Sequence, residues 1–570
     1  MWPTMAIFAA SMLVGPVCRK ADGGALPKGR TMQPNTIVRF LALLAIAWWG
    51  SRCANPVPPT GGPRDEQPPR LDTLHSTPNY QTRFRKQPIE LTFDEWVKLN
   101  DPVNQIVVSP PLQYRPEVKL RKKTVVFRFD EREVLKDNAT YTINFGEAIQ
   151  DLTEGNVAPV RFLFSTGPYI DSLVVTGQVV DAFSGEPAEG VRFMLYDNLA
   201  DSVVHTERPF YFGTTDAQGR VRIENVRADT FRVVALADAN RNYFFDAGER
   251  IAFPDTFIVV RDSLTEVPVL RLFAEEPPLR LLDDEEPHYG LVRLWFNRAP
   301  WDARLLWDSA AVQGWPEPVG DSIRFWYAGA GAPFRLVVPL PDGPDTVQVQ
   351  AAHRQRLADD TPLQPVGRRP TVVALPPARP FALEWNHPLA ALDTSRVLLL
   401  ADTTRTPRRL RYRFEGPARR TLALTPEDGW REGVTYELTL LPGALTDVWG
   451  LTQKDTLQQT LRIRPRDEFG ALTLTVAPLD TAMHYVLQLW QGEDRLVDTH
   501  AIHADSTWTH RWPLLEPGSW RAILIEDRNA DGRYTPGHYA TRRQPERVLI
   551  RPLEEVRANW EVEATMVVEW

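Results

Sequence analysis

Thr124-VVFRF-Asp130, Thr140-YTINF-Gly146 and Pro159-VRFLFS-Thr166 are three short runs in which apolar and polar residues alternate. A period of two puts every second side chain on one face, as in a strand with one buried side. Ile89-ELTF-Asp94 has the same form. Turn residues bound each run, and the spacing suits a sandwich or barrel. Short helix candidates fall only in connections, such as Gly146-EAIQD-Leu152. The expected fold class is all-β, built from tandem β-sandwich domains.

The chain has 570 residues, 43% of them hydrophobic and 24% charged, with 50 prolines and 33 glycines. At roughly 100–200 residues per domain, this length holds three to six domains. So many prolines favour loops over long helices. The net charge of -8 gives no support to nucleic-acid binding. The only cysteines are Cys18 and Cys53. The body of the chain therefore holds no disulfide framework, thiolate metal cluster or cysteine nucleophile.

Each cysteine ends an apolar run. Arg39-FLALLAIAWWGSR-Cys53 contains an apolar stretch that fits a signal-peptide core and is too short to span a bilayer. A cysteine directly after such a run suggests a lipoprotein signal, cleaved before Cys53 so that its thiol is acylated. Each acyl chain contributes ~0.8 kcal/mol per buried CH2, enough in pairs to hold a folded body at a membrane. Arg52 stands where a small residue is usual. Residues 1–52 then form the signal region, with Met32 as an alternative start. MAIFAASMLVGPVC ending at Cys18 is a competing signal, and an uncleaved anchor holding both cysteines is a third reading. Residues 53–70, rich in Pro and Gly, read as an extended tether.

Five blocks follow, at 71–169, 170–275, 276–375, 376–466 and 467–570. In the second, Thr215-DAQGRVRI reads as a hairpin with Gly219 at its turn. The third opens on what reads as an acidic linker, Asp283 to Glu286. The fourth repeats the order of the first. Ile89-ELTFDEWVKLND, Asp137-NATYTINFGEAIQDLTEGN and Val160-RFLFSTG match Phe381-ALEWNHPLAALD, Arg431-EGVTYELTLLPGALTDVWGLTQKD and Thr460-LRIRP. Tyr141 pairs with Tyr436, and Asp151 with Asp447. The fifth block repeats the second: Thr230-FRVVALADANRNYFFDAGERIAF matches Ser519-WRAILIEDRNADGRYTPGHYATRRQP.

Cys53-ANPVPPTGGPRDEQPPRL resembles the mature start of Bacteroidetes-type surface lipoproteins, through Pro59, Thr60, Gly61, Gly62, Pro63, Arg64 and Asp65, then Pro68 and Pro69. The first block resembles the bacterial Ig-like domain of S-layer proteins. The second resembles a carboxypeptidase-regulatory or prealbumin-like sandwich. The resemblance implies export across the inner membrane and a lipid anchor at the outer membrane or cell surface of a Gram-negative bacterium. It carries no catalytic residues with it.

Two loops have the residue types of a hard-cation site. Asp238, Asn240, Asn242, Asp246 and Glu249 occupy positions 1, 3, 5, 9 and 12 of a calcium-loop pattern. Position 6 is Tyr243 rather than glycine. In the fifth block, Asp527, Asn529, Asp531 and Thr535 occupy positions 1, 3, 5 and 9, with Gly532 at position 6. His538 stands at position 12, so the bidentate carboxylate is missing there. The alternative is a polar loop closed by its own hydrogen bonds. Calcium is the one cofactor that the sequence suggests.

Eighteen tryptophans suit sandwich cores, with glycan stacking as a second use. His500, His503 and His510 lie close in sequence, but His500 and His503 would face opposite ways on one strand. They read as turn or surface histidines. No HExxH, GxSxG or Walker loop is present. The expectation is a non-enzymatic envelope lipoprotein, a stalk or scaffold that meets an envelope protein or a glycan. A carbohydrate-binding surface protein and an envelope hydrolase without a known motif are the alternatives.

Overall fold

The computed structural model describes residues 66–352, 354–368, 370–401 and 406–570. Cys53, the apolar run before it and residues 53–65 of the tether lie outside the described residues. Strands make up 46% of the structure and helix 4%. Among the described residues no helix exceeds four residues. The fold is all-β, in tandem sandwiches.

The first block pairs Ile89–Thr92 and Glu117–Arg121 with the central strand Thr124–Arg128. A second layer pairs Val107–Ser109 and Arg161–Ser165 with Thr140–Asn144. The alternation acts as expected: Val125, Phe127, Tyr141, Ile143, Phe162 and Phe164 are buried between the layers. Tyr141 and Phe164 stack with centroids 5.1 Å apart. The fourth block repeats this pairing strand for strand. Phe381–Glu384 and Leu410–Glu415 flank Thr421–Pro426, and Val397–Ala401 and Leu457–Ile463 flank Thr435–Leu440. Val97–Leu99 with Ile149–Asp151 is matched by Leu389–Leu392 with Leu445–Asp447.

Side chains repeat as well. The Tyr141 hydroxyl accepts from the Lys136 N–H at 2.8 Å, and the Tyr436 hydroxyl from the Arg431 N–H at 3.1 Å. Both reach back five residues, in the manner of a tyrosine corner. Asp151 accepts from the Thr153 N–H, and Asp447 from the Trp449 N–H. Tyr141→Phe and Tyr436→Phe each strand a backbone donor, and each should cost about 1–3 kcal/mol in chemical denaturation. A loss near zero for both would show that the corners are incidental.

The second and fifth blocks share another pairing. Leu173–Asp181 runs antiparallel to Arg220–Val226 and parallel to Leu270–Ala274. Gly470–Ala477 runs antiparallel to Trp508–Leu515 and parallel to Glu561–Val567. Arg192–Tyr196 lies between Tyr211–Thr214 and Asp229–Leu236, as His484–Gln491 lies between Arg495–His503 and Trp520–Asp527.

Three local expectations need correction. The helix expected at Gly146-EAIQD-Leu152 is a strand, Ile149–Asp151, because Ile149 and Asp151 are buried while Gln150 is not. The stretch from Asp283 to Glu286 is no linker. It lies in the edge strand Leu281–His288, paired with Leu291–Phe296, and its charges suit an edge that must not recruit another strand. Glu286 accepts the Tyr327 hydroxyl at 2.7 Å. Finally, Gly219 does occupy a turn, with φ 69°, and a Cβ there would lie 2.3 Å from the Val179 carbonyl oxygen. The flanking strands do not pair with each other: Tyr211–Thr214 bonds Arg192–Tyr196, and Arg220–Val226 bonds Leu173–Asp181. The turn is a corner that carries the chain from one layer to the other.

The blocks are fastened to one another. Apolar contacts run unbroken from Phe84 in the first to Leu272 in the second. Trp326 and Trp449 pack together between the third and fourth, and the Trp449 indole N–H donates to the Tyr327 carbonyl at 2.9 Å. Arg464 bridges Glu468 and Glu516, tying the fourth to the fifth. The fifth also packs against the second. Tyr539 is buried among Phe245, Phe253 and Phe273, and its hydroxyl donates to the Asp201 carbonyl at 3.0 Å. An extended stalk would hold these two copies apart.

Candidate functional site

Both Asp/Asn loops begin where a core strand ends, after Asp229–Leu236 in one copy and within Trp520–Asp527 in the other. Each first aspartate receives two backbone N–H groups. Asp238 accepts from Asn242 at 3.1 Å and Tyr243 at 3.0 Å. Asp527 accepts from Asp531 at 3.0 Å and Gly532 at 2.8 Å. Positions 4 and 6 are left-handed in both: Arg241 and Tyr243 in the first, Ala530 and Gly532 in the second. Glycine suits that backbone, whereas Tyr243 costs about 1–2 kcal/mol there. Packing of its ring against Phe212 offsets this cost.

The last carboxylate shows where sequence spacing misled. Glu249 accepts from the Ala239 N–H at 2.9 Å and the Asp246 N–H at 3.1 Å, positions 2 and 9 of its loop. In the second loop His538 does not enter; it bonds Thr541. Glu546 takes the role instead. It accepts from Arg528 at 2.8 Å and Thr535 at 2.8 Å, again positions 2 and 9. Glu249 comes three positions after Asp246, but Glu546 comes eleven positions after Thr535. The additional segment is the one that docks on the second block. Gly537 lies so close to Phe273 that a Cβ would stand 2.4 Å from the ring. Arg542 covers Phe253 and donates to the Pro254 carbonyl at 2.8 Å. Gln544 donates to the Phe253 carbonyl at 2.9 Å.

The two loops differ in burial. Asp527 and Glu546 are each 3% exposed, while Asp246 lies open to solvent. Burial pushes the Glu546 carboxyl above its ordinary value, and the charges of Asp527 and Asp531 push it further. In the first loop the Asn240 and Asn242 amides donate to one Asp246 oxygen, at 2.7 and 2.8 Å. In the second, the Asn529 amide donates to Asp531 and Thr535. The loops are thus closed by their own hydrogen bonds. A cation entering them would have to turn these amides and take the carboxylate oxygens for itself. The oxygen-only donor sets suit a hard cation.

The aromatic residues mostly serve the core. Trp385, Trp326, Trp430, Trp512 and Trp520 are buried. Trp96, Trp301, Trp560 and Trp570 are exposed but belong to three different blocks. Four histidines of the fifth block meet in two pairs. His500 and His510 lie with ring centroids 4.4 Å apart beside Asp498, and His484 stacks on His503 at 3.9 Å. The description of these as turn or surface residues fails for His500 and His510, which sit half-buried on strands.

A family model for a bacterial Ig-like domain matches residues 65–166. No curated protein matches the chain. Among solved structures, the Bacillus anthracis TIE protein is 8% identical, over 95% of this chain and 80% of that one, with a TM-score of 0.14. BcpA, the major pilin subunit of Bacillus cereus, is 9% identical, over 70% of this chain and 99% of that one, with a TM-score of 0.14. The S-layer protein SbsC is 11% identical, over 76% of this chain and 63% of that one, with a TM-score of 0.13. The family match covers the first sandwich and ends before the two loops.

Proposed function

We propose that this chain is a non-enzymatic scaffold of the bacterial cell envelope, exported and held to the outer membrane by acylation of Cys53. The bacterial Ig-like match at 65–166 supports an envelope role. The observation that carries the scaffold reading is the docking of the fifth block on the second through Tyr539, Arg542 and Gln544. It turns a string of sandwiches into a body of fixed geometry, which suits presenting surfaces to an envelope protein or a glycan. Metabolic labelling with a fatty-acid probe tests the anchor. The wild type should be labelled and Cys53→Ser should not. Label that persists in Cys53→Ser would move the anchor elsewhere.

A second reading concerns calcium, and Glu546 favours it. With Glu546 counted, the second loop has carboxylates from Asp527, Asp531 and Glu546 and oxygens from Asn529 and Thr535. Calcium there would fix both ends of the segment that docks on the second block. Binding to the folded state alone would stabilise it by about 2.7 kcal/mol at a hundredfold excess over Kd. The pH dependence has a definite sign. Because the folded value of Glu546 is raised, ionising it opposes folding of the metal-free chain, which gains stability as pH falls through that value toward the ordinary 4.5. Calcium binds the ionised form. The rise in Tm on adding calcium should therefore be larger at neutral pH than at about pH 5, and Glu546→Gln should reduce it. Equal rises at both pH values, or none, would sink this reading.

A further inference from the structure

Strands Arg495–His503 and Trp508–Leu515 are edge strands of the two layers of the fifth block, joined by a short corner. Alternation points Asp498, His500 and Ile502 inward from one, and Trp508, His510 and Trp512 inward from the other; the residues between them are exposed. Core-facing positions at a sandwich edge ordinarily carry apolar residues, because an ionisable group there loses water and needs a partner. The second block shows the ordinary case. Phe193 pairs with Ala235, three residues before Asp238, and Leu487 pairs with Leu524, three residues before Asp527. Phe193 also faces Gly213, where Leu487 faces His500. Leu195 faces Tyr211, where Leu489 faces Asp498. Across the corner, Gly213 is covered by Val221 and Ile223. The later copy has replaced a glycine and a tyrosine with histidine and aspartate, and set a second histidine opposite them.

We propose that Asp498, His500 and His510 form a binding site for one divalent transition-metal ion of the zinc class. One ligand atom from each lies within 4.8 Å of the others. The His500 Nε2 is 3.0 Å from the Asp498 Oδ2. Ligand atoms about 2.0–2.1 Å from a tetrahedral ion stand only slightly further apart than this. Two imidazoles and a carboxylate suit zinc, copper or nickel better than calcium or magnesium. The outer layer is in place: the Trp512 indole N–H donates to the Asp498 Oδ2 at 2.7 Å, which orients the carboxylate as an outer partner orients a ligand. Trp508 lies nearly parallel to the His510 ring, at 13°, and holds its plane. Three protein ligands leave the fourth position to water or to a group from a partner.

Titration of the full metal-free chain with Zn2+ tests the site. It is run in excess calcium, so that the oxygen-only loops do not compete, and followed by calorimetry. One ion should bind with saturation. His510→Val, which installs a residue of the apolar copy, should lose more than the about 10–100-fold that removing a ligand's hydrogen-bond partner costs. Its thermal melt in the absence of zinc should stay that of the parent. His500→Gln is the second variant and should lose as much. Cobalt substitution should give visible bands in the parent that both variants lack. No saturable zinc uptake by the parent, or uptake unchanged in both variants, overturns the proposal. So does zinc uptake lost only when His503 is replaced.

Discussion

Replacing Arg420 by methionine will lower the stability of the chain by about 3–5 kcal/mol, the usual result of removing one partner of a buried ion pair. Arg420 is buried between the third and fourth blocks. Its guanidinium donates to both Glu317 oxygens, at 3.1 and 3.0 Å, and to the Trp385 carbonyl at 2.9 Å. It also reaches Glu384 at 2.8 Å and lies 5.2 Å from the Trp326 ring centroid. Without it, Glu317 keeps the Trp326 indole N–H at 3.0 Å, with Arg324 3.9 Å away. The double variant Glu317→Leu with Arg420→Met should recover most of the loss, since the shielded Glu317 charge is then removed with its partner, while Glu384 is exposed and keeps its water. Urea denaturation followed by tryptophan fluorescence reads both. A single variant that costs under about 1 kcal/mol would place the pair in the class of exposed bridges.

The second large effect is expected at Tyr539. Truncation to alanine removes a buried ring packed on Phe245 and Phe253, together with the hydroxyl bond to Asp201. The cost should be about 3–5 kcal/mol, as for other large aromatic truncations. Its location is more informative than its size. The loss should appear as faster amide hydrogen exchange in Leu270–Ala274 and in the segment 536–544, with the first-block strand Thr140–Asn144 unchanged. Gly537→Val should act at the same place by another route, because its side chain would run into Phe273. Exchange unchanged at both ends in both variants would mean that the contact contributes nothing.

The layers were legible because alternation survives in single strands: Phe127 and Tyr141 announce their burial without any partner being known. The repeats were legible for the same reason, since the tyrosine corner and the Asp151 and Asp447 turns are local and reach only two to five residues. What depends on distant partners was not. Glu546 lies beyond the spacing of a calcium loop because a docking segment is inserted before it. His500 and His510 sit on successive strands, and only the corner between the layers brings them together. The edge strand Leu281–His288 hid its strand character under charge. Arg420 and Glu317 are 103 residues apart, and neither alone signals a buried pair.

Whether the last copy closes on the second is tested most directly by a cross-link. Phe183 and Tyr534 meet edge to face, with ring centroids 5.2 Å apart. Both are replaced by cysteine in a chain whose Cys18 and Cys53 are serine, and a short bifunctional thiol reagent is added to a dilute sample. The account predicts one dominant product, linked within a single chain and suppressed by adding Gly537→Val. Singly modified chains alone, or links only between different chains, would contradict it.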